Sequence, residues 1–191
     1  MRLILATVLL AVLAGYVAGG RLTGISTLRI RWPVLALVGV ALQFVPAGGD
    51  AGVWVLIASF VFLIVFTAAN IRMPGFPLIA VGLLLNFLVI AVNQGMPVTK
   101  HALFASGQAN TYHELRTDGG TKHHLANGDD ELSFLGDDIA IPRPVAQAVS
   151  VGDLFVYGGA AWFLIVGMRR SRRRDVPDAP SETPVRAPPS S

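Results

Sequence analysis

Five long runs of apolar residues, almost free of charge, constrain this chain more than any other feature. They cover approximately residues 3–20, 33–45, 52–69, 76–92 and 151–168. A helix needs about 20 apolar residues to cross the hydrocarbon of a bilayer, and these runs come close to that length. Only 14% of the residues are charged, against roughly a quarter in soluble domains. We therefore predict an all-α polytopic membrane protein, residues 1–168, with five spans and one long outer loop at 93–150.

The distribution of basic residues predicts the orientation of this bundle. Ten of the fifteen Lys and Arg residues fall on one side of the five spans, and that side is expected to face the cytoplasm. The amino terminus and the long loop then lie outside, and the carboxy terminus lies inside. The first run also resembles a secretory signal peptide, whose removal would invert the remaining topology and place most arginines outside. We therefore expect the first helix to be retained.

The segment 169–191 is predicted to be a disordered, basic, Pro- and Ser-rich cytoplasmic tail. It opens with five arginines between Arg169 and Arg174. Such a cluster fixes topology and can attract anionic lipid, at about 1 kcal/mol per arginine. No aromatic residues alternate with the arginines, so we expect no nucleic-acid partner.

The polar residues deep inside the apolar runs are few, and none is charged: Gln43, Ser59, Thr67 and Asn86. Transporters and proton pumps usually place ionisable groups at depth, so the pattern argues against a coupled pump. Gln43 and Asn86 are expected to hydrogen-bond between helices. Cysteine is absent, which excludes disulfides, thiolate nucleophiles and cysteine-based metal sites.

The strongest candidates for chemistry are acids near the start of the last span. Asp137 or Asp138, paired with Asp153, could share a proton and act as general base and general acid. The arrangement resembles that of bacterial lipoprotein signal peptidases, with Ser150-Val151-Gly152-Asp153 in place of their Asn-x-Ala-Asp element. The structural alternative is that Asp153 caps the last helix and Asp137 ends a turn.

A metal site is the second candidate. The loop contains all four histidines, and His113, Glu114 and His123 form the most plausible set of ligands. Their spacing fits no standard site, and loop histidines are usually solvated. We therefore expect no bound cofactor.

Several short motifs follow one another in the order seen in an uncharacterised bacterial membrane family, domain-of-unknown-function family 5317, which the chain resembles over roughly residues 1–168. The motifs are Gly19-Gly20-Arg21-Leu22, Leu28-Arg29-Ile30-Arg31-Trp32-Pro33, Asn70-Ile71-Arg72-Met73-Pro74-Gly75, Asn93-Gln94-Gly95-Met96-Pro97-Val98, Lys122-His123, Leu135-Gly136-Asp137 and Val151-Gly152-Asp153. This resemblance implies a fold and no activity.

The sequence therefore leaves open whether the protein is an enzyme. The leading hypothesis is a structural or binding component of the bacterial cell envelope, resident in the inner or plasma membrane. One alternative is a membrane-embedded aspartyl hydrolase, and a further one is a metal-binding sensor or accessory protein.

Overall fold

The computed structural model describes residues 2–47, 49–117, 120 and 122–174, with residues 171–174 described by their backbone alone. The fold is mostly helical. Its helices are α1 (Arg2–Val17), α2 (Thr23–Ser26), α3 (Pro33–Leu42), α4 (Gly49–Ala69), α5 (Phe76–Asn93), α6 (Lys100–Ala105), α7 (Ala109–Thr117) and α8 (Val151–Arg174).

Three of these helices are long and apolar enough to cross a membrane. They are α4, α5 and the Val151–Arg170 part of α8. The prediction of five spans is not confirmed, because α1 has 16 residues and α3 has 10. At 1.5 Å per residue these helices are about 24 Å and about 15 Å long, short of a hydrocarbon core of about 30 Å.

Glycines bring α5 and α8 into backbone contact along their length. A side chain at Gly82 would collide with the carbonyl of Gly152, and one at Gly159 would lie 2.6 Å from the carbonyl oxygen of Gly75. Small residues of this kind let two apolar helices approach closely enough for dispersion contacts between their backbones. The first turn of α8, which carries Asp153, is thereby held against α5.

The long loop (residues 93–150) lies at one end of these helices. At the opposite end, hydrogen bonds join the connecting segments. Arg21 donates its backbone N–H to the carbonyl of Met168 at 2.9 Å. Asn70 accepts the backbone N–H of Arg31 at 2.8 Å and donates to its carbonyl at 2.9 Å. We call this end of the bundle the arginine end, because six exposed arginines lie there: Arg21, Arg29, Arg31, Arg72, Arg169 and Arg170.

The last helix continues through the basic cluster to Arg174, six residues past the predicted end of the last span. The rest of the predicted tail, residues 175–191, lies outside the described residues. At the opposite end of the molecule, α8 begins where the long loop returns to the bundle.

Short strands in the long loop depart from the all-α prediction. They are β1 (Met96–Val98), β2 (His123–Leu125), β3 (Ile139–Ile141) and β4 (Gln147–Val149). The first two pair in parallel and the last two pair antiparallel. Three-residue strands carry no detectable alternation of polar and apolar residues, which is why the sequence does not predict them.

The loop packs into a folded cap over the ends of the helices. Val98, Ala102, Leu103 and Ala148 form a small buried core in it. A larger core lies beneath, between α4 and α5, and includes Met96 from the start of β1. The cap is therefore continuous with the helix bundle, and residues from both line the space between them.

Candidate functional site

Asp137 is fixed in place by the strand β1. Its backbone N–H donates to the carbonyl of Pro97 at 2.9 Å, and its carbonyl accepts the N–H of Thr99 at 3.2 Å. On the other edge of β1, His123 lies opposite Met96. One three-residue strand thus sets the positions of both Asp137 and His123.

Asp153 is held in the first turn of α8 by residues of two helices. Asn86 of α5 donates its side-chain N–H to Asp153 Oδ1 at 2.8 Å, and it accepts the hydroxyl of Ser150 at 2.9 Å. Ser150 Oγ accepts the backbone N–H of Asp153 at 3.0 Å, so Ser150 caps the helix. Asp153 lies in the first turn, where a carboxylate stabilises a helix amino terminus, and it also faces both cavities.

Two cavities meet beside these acids. The loop cavity has a volume of about 680 Å³ and is lined by residues of α1, α6, α7 and β4. The helix cavity has a volume of about 340 Å³ and lies between α4, α5 and the end of α3. Four polar residues line both: His123, Asp137, Gln147 and Asp153. We call these the junction residues.

The junction holds a buried acid with a perturbed pKa. Asp137 is only 7% exposed. Burial raises the pKa of Asp137 well above its ordinary value, and the charge of nearby Asp153 raises it further. A carboxyl group in this setting holds its proton to higher pH than an exposed one does.

Among the described residues, His123 is the titratable partner that forms an ion-pair contact with Asp137. Its Nε2 lies 3.6 Å from Asp137 Oδ2. Half of the His123 side chain is accessible, but it lines the two cavities, so the ring is surrounded by protein although water reaches it. Burial, and then the charge of Lys122, lower the pKa of His123 to about 4. The imidazole is therefore neutral at physiological pH.

Asp138 points away from the junction. Its side chain accepts the hydroxyl proton of Thr99 at 2.7 Å, and Thr99 in turn caps α6 by accepting the N–H of Ala102. Asp138 is exposed and lines neither cavity. Of the two adjacent acids, Asp137 lines the same cavities as Asp153, and Asp138 binds the residue that caps α6.

The three metal-ligand candidates are not brought together. Glu114 and His123 both line the loop cavity, whereas His113 is exposed and its ring packs against Tyr112. Within residues 2–47, 49–117, 120 and 122–174, no group of three or more His, Asp or Glu side chains is arranged to hold a metal ion. His124 instead bonds Asp130, at 2.8 Å.

Gln147 is the junction residue that the sequence did not single out. Its Oε1 accepts the backbone N–H of Leu3 at 3.2 Å. It therefore ties the start of α1 to the wall of the junction. An isolated glutamine before a helix start carries no recognisable signal, so only the fold reveals this role.

Comparison with known proteins identifies a family but no activity. Residues 27–165 match the model of DUF5317, a family of unknown function. An uncharacterized protein of Thermotoga maritima is 32% identical over 114 residues, which make up 58% of this chain and 62% of that protein. The chain thus covers less than two thirds of this relative, and no solved structure matches it significantly. The family match covers well over half of the sequence, and the chain belongs to the DUF5317 family of unknown function.

Proposed function

We propose that the protein is a binding component of the bacterial cell envelope that holds a small ligand where its two cavities meet. One observation carries this proposal: four polar side chains, including two acids, line both a loop cavity and a helix cavity. Small-molecule sites usually have volumes of about 300 to 1,000 Å³, with apolar walls and a few converging polar groups. The junction has this combination.

A ligand screen with a cavity-filling variant tests the proposal. Ile90 is buried and lines the helix cavity, whereas Leu88, on the same helix, is 46% exposed. Compounds that raise the melting temperature of the wild-type protein in detergent should do so in Leu88→Phe and lose most of their effect in Ile90→Phe. If Ile90→Phe folds and keeps the full response to every stabilising compound, the cavity is not the site.

A second candidate function is acid–base hydrolysis, and the pairing of Asp137 with Asp153 favours it. A carboxyl whose pKa is raised can donate a proton to a leaving group while a neighbouring carboxylate activates water. In this function Asp137 is the acid and Asp153 the base, and the neutral His123 orients Asp137. The helix cavity would admit an apolar part of the substrate.

Complementation separates the two functions. In a host whose own gene is deleted, a hydrolase requires both Asp137 and Asp153, so Asp137→Asn and Asp153→Asn should each fail to restore the phenotype. Asp138→Asn is the matched control, because Asp138 lies one residue away and faces solvent. Membrane levels and melting temperatures of all three variants show whether each is folded. A folded Asp153→Asn variant that restores the phenotype rejects the hydrolase.

The proposed topology places the long loop outside and the arginine end in the cytoplasm, where Arg169–Arg174 contact anionic lipid headgroups. The support is the exposure of six described arginines at one end of the bundle. The chain has no cysteine, so single cysteines report directly on sidedness. In intact cells, Ser133→Cys should react with an impermeant maleimide and Ser26→Cys should not. The opposite pattern inverts the topology.

A further inference from the structure

Asp137 is a buried acid without a basic partner. Its carboxylate accepts no hydrogen bond from the described part of the chain, and its nearest partner is the neutral ring of His123, 3.6 Å away. Among the described residues, no Lys or Arg nitrogen lies within 4.0 Å of Asp137 or Asp153. Buried carboxylates are normally paired or hydrogen-bonded, because removing them from water is costly. Within the described residues, Asp137 is thus a largely buried carboxyl that lines both cavities without a hydrogen-bonded partner.

The cationic side chains near the junction do not pair with Asp137. Lys122 lines the helix cavity, but its ammonium donates to the backbone carbonyl of Gln43. Arg2 lines the loop cavity with both acids but forms no ion pair with either, and the charge of the amino terminus acts on Asp153. The space beside the two acids is open to a positive group of moderate size.

The helix cavity provides an apolar and aromatic surface next to the acids. Beyond the junction residues, its walls include Phe44, Phe60, Leu56 and Ile90. Aromatic faces attract cations, and aliphatic side chains hold apolar groups. A ligand suited to this space has one positive charge at the junction and an apolar body.

We propose that the junction binds a hydrophobic amine, with its ammonium group between Asp137 and Asp153 and its apolar part in the helix cavity. This inference rests on the proposed binding function and names the chemistry of its ligand.

Binding of such a ligand is coupled to proton release. Where the Asp137 carboxyl holds its proton, that proton passes to the solvent when an ammonium ion binds beside the carboxylate. Affinity should therefore rise with pH until Asp137 is ionised without ligand. The other titratable or charged groups around the junction and its cavities are Asp153 and Tyr157 from α8, His123 and Lys122 from the β2 region, Glu114 from α7, Arg2 from α1, and the amino terminus, whose charge acts on Asp153.

Three probes of similar shape and different charge test the inference on the wild-type protein. They are 4-phenylbutylamine, 4-phenylbutanol and 4-phenylbutyrate, measured by calorimetry in nonionic detergent at pH 6 and pH 8. The amine should bind at least about tenfold more tightly than the alcohol, and the butyrate least tightly. Amine binding should strengthen at pH 8, and heats in buffers of different ionisation enthalpy should show proton release.

Variants locate the amine. Asp137→Asn should weaken amine binding at least about tenfold and abolish proton release, while the control Asp138→Asn keeps both. Equal affinity for amine and alcohol, no binding of the amine, or equal losses in Asp137→Asn and Asp138→Asn would each overturn the inference. The wild-type probe series decides the question even if Asp137→Asn does not fold.

Failure of this inference is distinguishable from failure of the proposed function. If alcohol or butyrate binds and Ile90→Phe removes that binding, the cavity is a ligand site with a different chemical preference. If no compound in the wider screen responds to Ile90→Phe, the binding function itself is rejected.

Discussion

Gly152→Ala is the sharpest test of how the junction is assembled, since Gly152 lies where α5 and α8 touch. A Cβ atom at this position would collide with Asn86 Oδ1 and lie 2.7 Å from the carbonyl oxygen of Gly82. Gly158, six residues further along α8, has no atom within 4 Å of the corresponding position. Both substitutions add the same methyl group to α8, but only the one at Gly152 places it against other atoms.

The two substitutions should change the free energy of unfolding in opposite directions. In Gly152→Ala, the carbonyl of Gly82 must retreat from 2.7 Å to ordinary contact, and Asn86 must move away from Asp153. Overpacking of this kind costs about 1 to 3 kcal/mol. Replacing glycine by alanine inside a helix gains up to about 1 kcal/mol when nothing is in the way. Gly152→Ala should thus unfold more easily than the wild-type protein, and Gly158→Ala should be equal or more stable.

Reversible unfolding in mixed micelles, followed by the fluorescence of the three tryptophans, measures both free energies. Amine binding provides a second readout, because displacing Asn86 removes the hydrogen bond that orients Asp153. Gly152→Ala should weaken binding and Gly158→Ala should not. If both alanine variants are equally stable, the close approach of α5 and α8 is not as described.

Three further predictions concern the hydrogen bonds and charges of the junction. Asn86→Leu should destabilise the protein by about 2 kcal/mol, and a double-mutant cycle with Asp153→Asn should attribute most of this loss to their mutual bond. In thermal unfolding from pH 4 to pH 8, the wild-type protein should lose stability relative to Asp137→Asn as pH rises through the elevated pKa of Asp137, because ionisation is harder in the folded state. His123 acts in the opposite direction: relative to His123→Gln, the wild-type protein should lose stability as pH drops from 6.5 towards 4, because His123 protonates more readily when unfolded. Profiles of either variant that match the wild-type profile would contradict the corresponding prediction.

The sequence predicts where the long apolar helices lie better than it predicts how many helices are long enough to span a membrane. The runs that became α4, α5 and α8 are long enough to be recognised from hydropathy alone. The runs that became α1 and α3 form helices that end before the predicted runs do, at Val17 and at Leu42. Hydropathy reports burial in an apolar medium, and it does not distinguish a full span from a shorter apolar helix.

The candidate site was predictable in part, and the limit lies in long-range pairing. The expectation that Asn86 hydrogen-bonds between helices is confirmed by its bonds to Asp153 and Ser150. The choice between Asp137 and Asp138 depends on the pairing of Asp137 with β1, about forty residues earlier in the chain. Adjacent residues point in different directions, so a single backbone register decides which acid is buried.

The construction of the junction itself argues that it serves more than stability. One wall depends on glycines that bring Asn86 to Asp153, and the other depends on a three-residue strand that fixes Asp137 and His123. Apolar side chains would fill the same space at lower cost, because a buried carboxyl without a basic partner destabilises the fold. Residues that lower the stability of the fold are expected at functional sites. If Asp137→Leu raises the melting temperature and abolishes amine binding, the acid is retained for its ligand; if it lowers the melting temperature, Asp137 serves the fold.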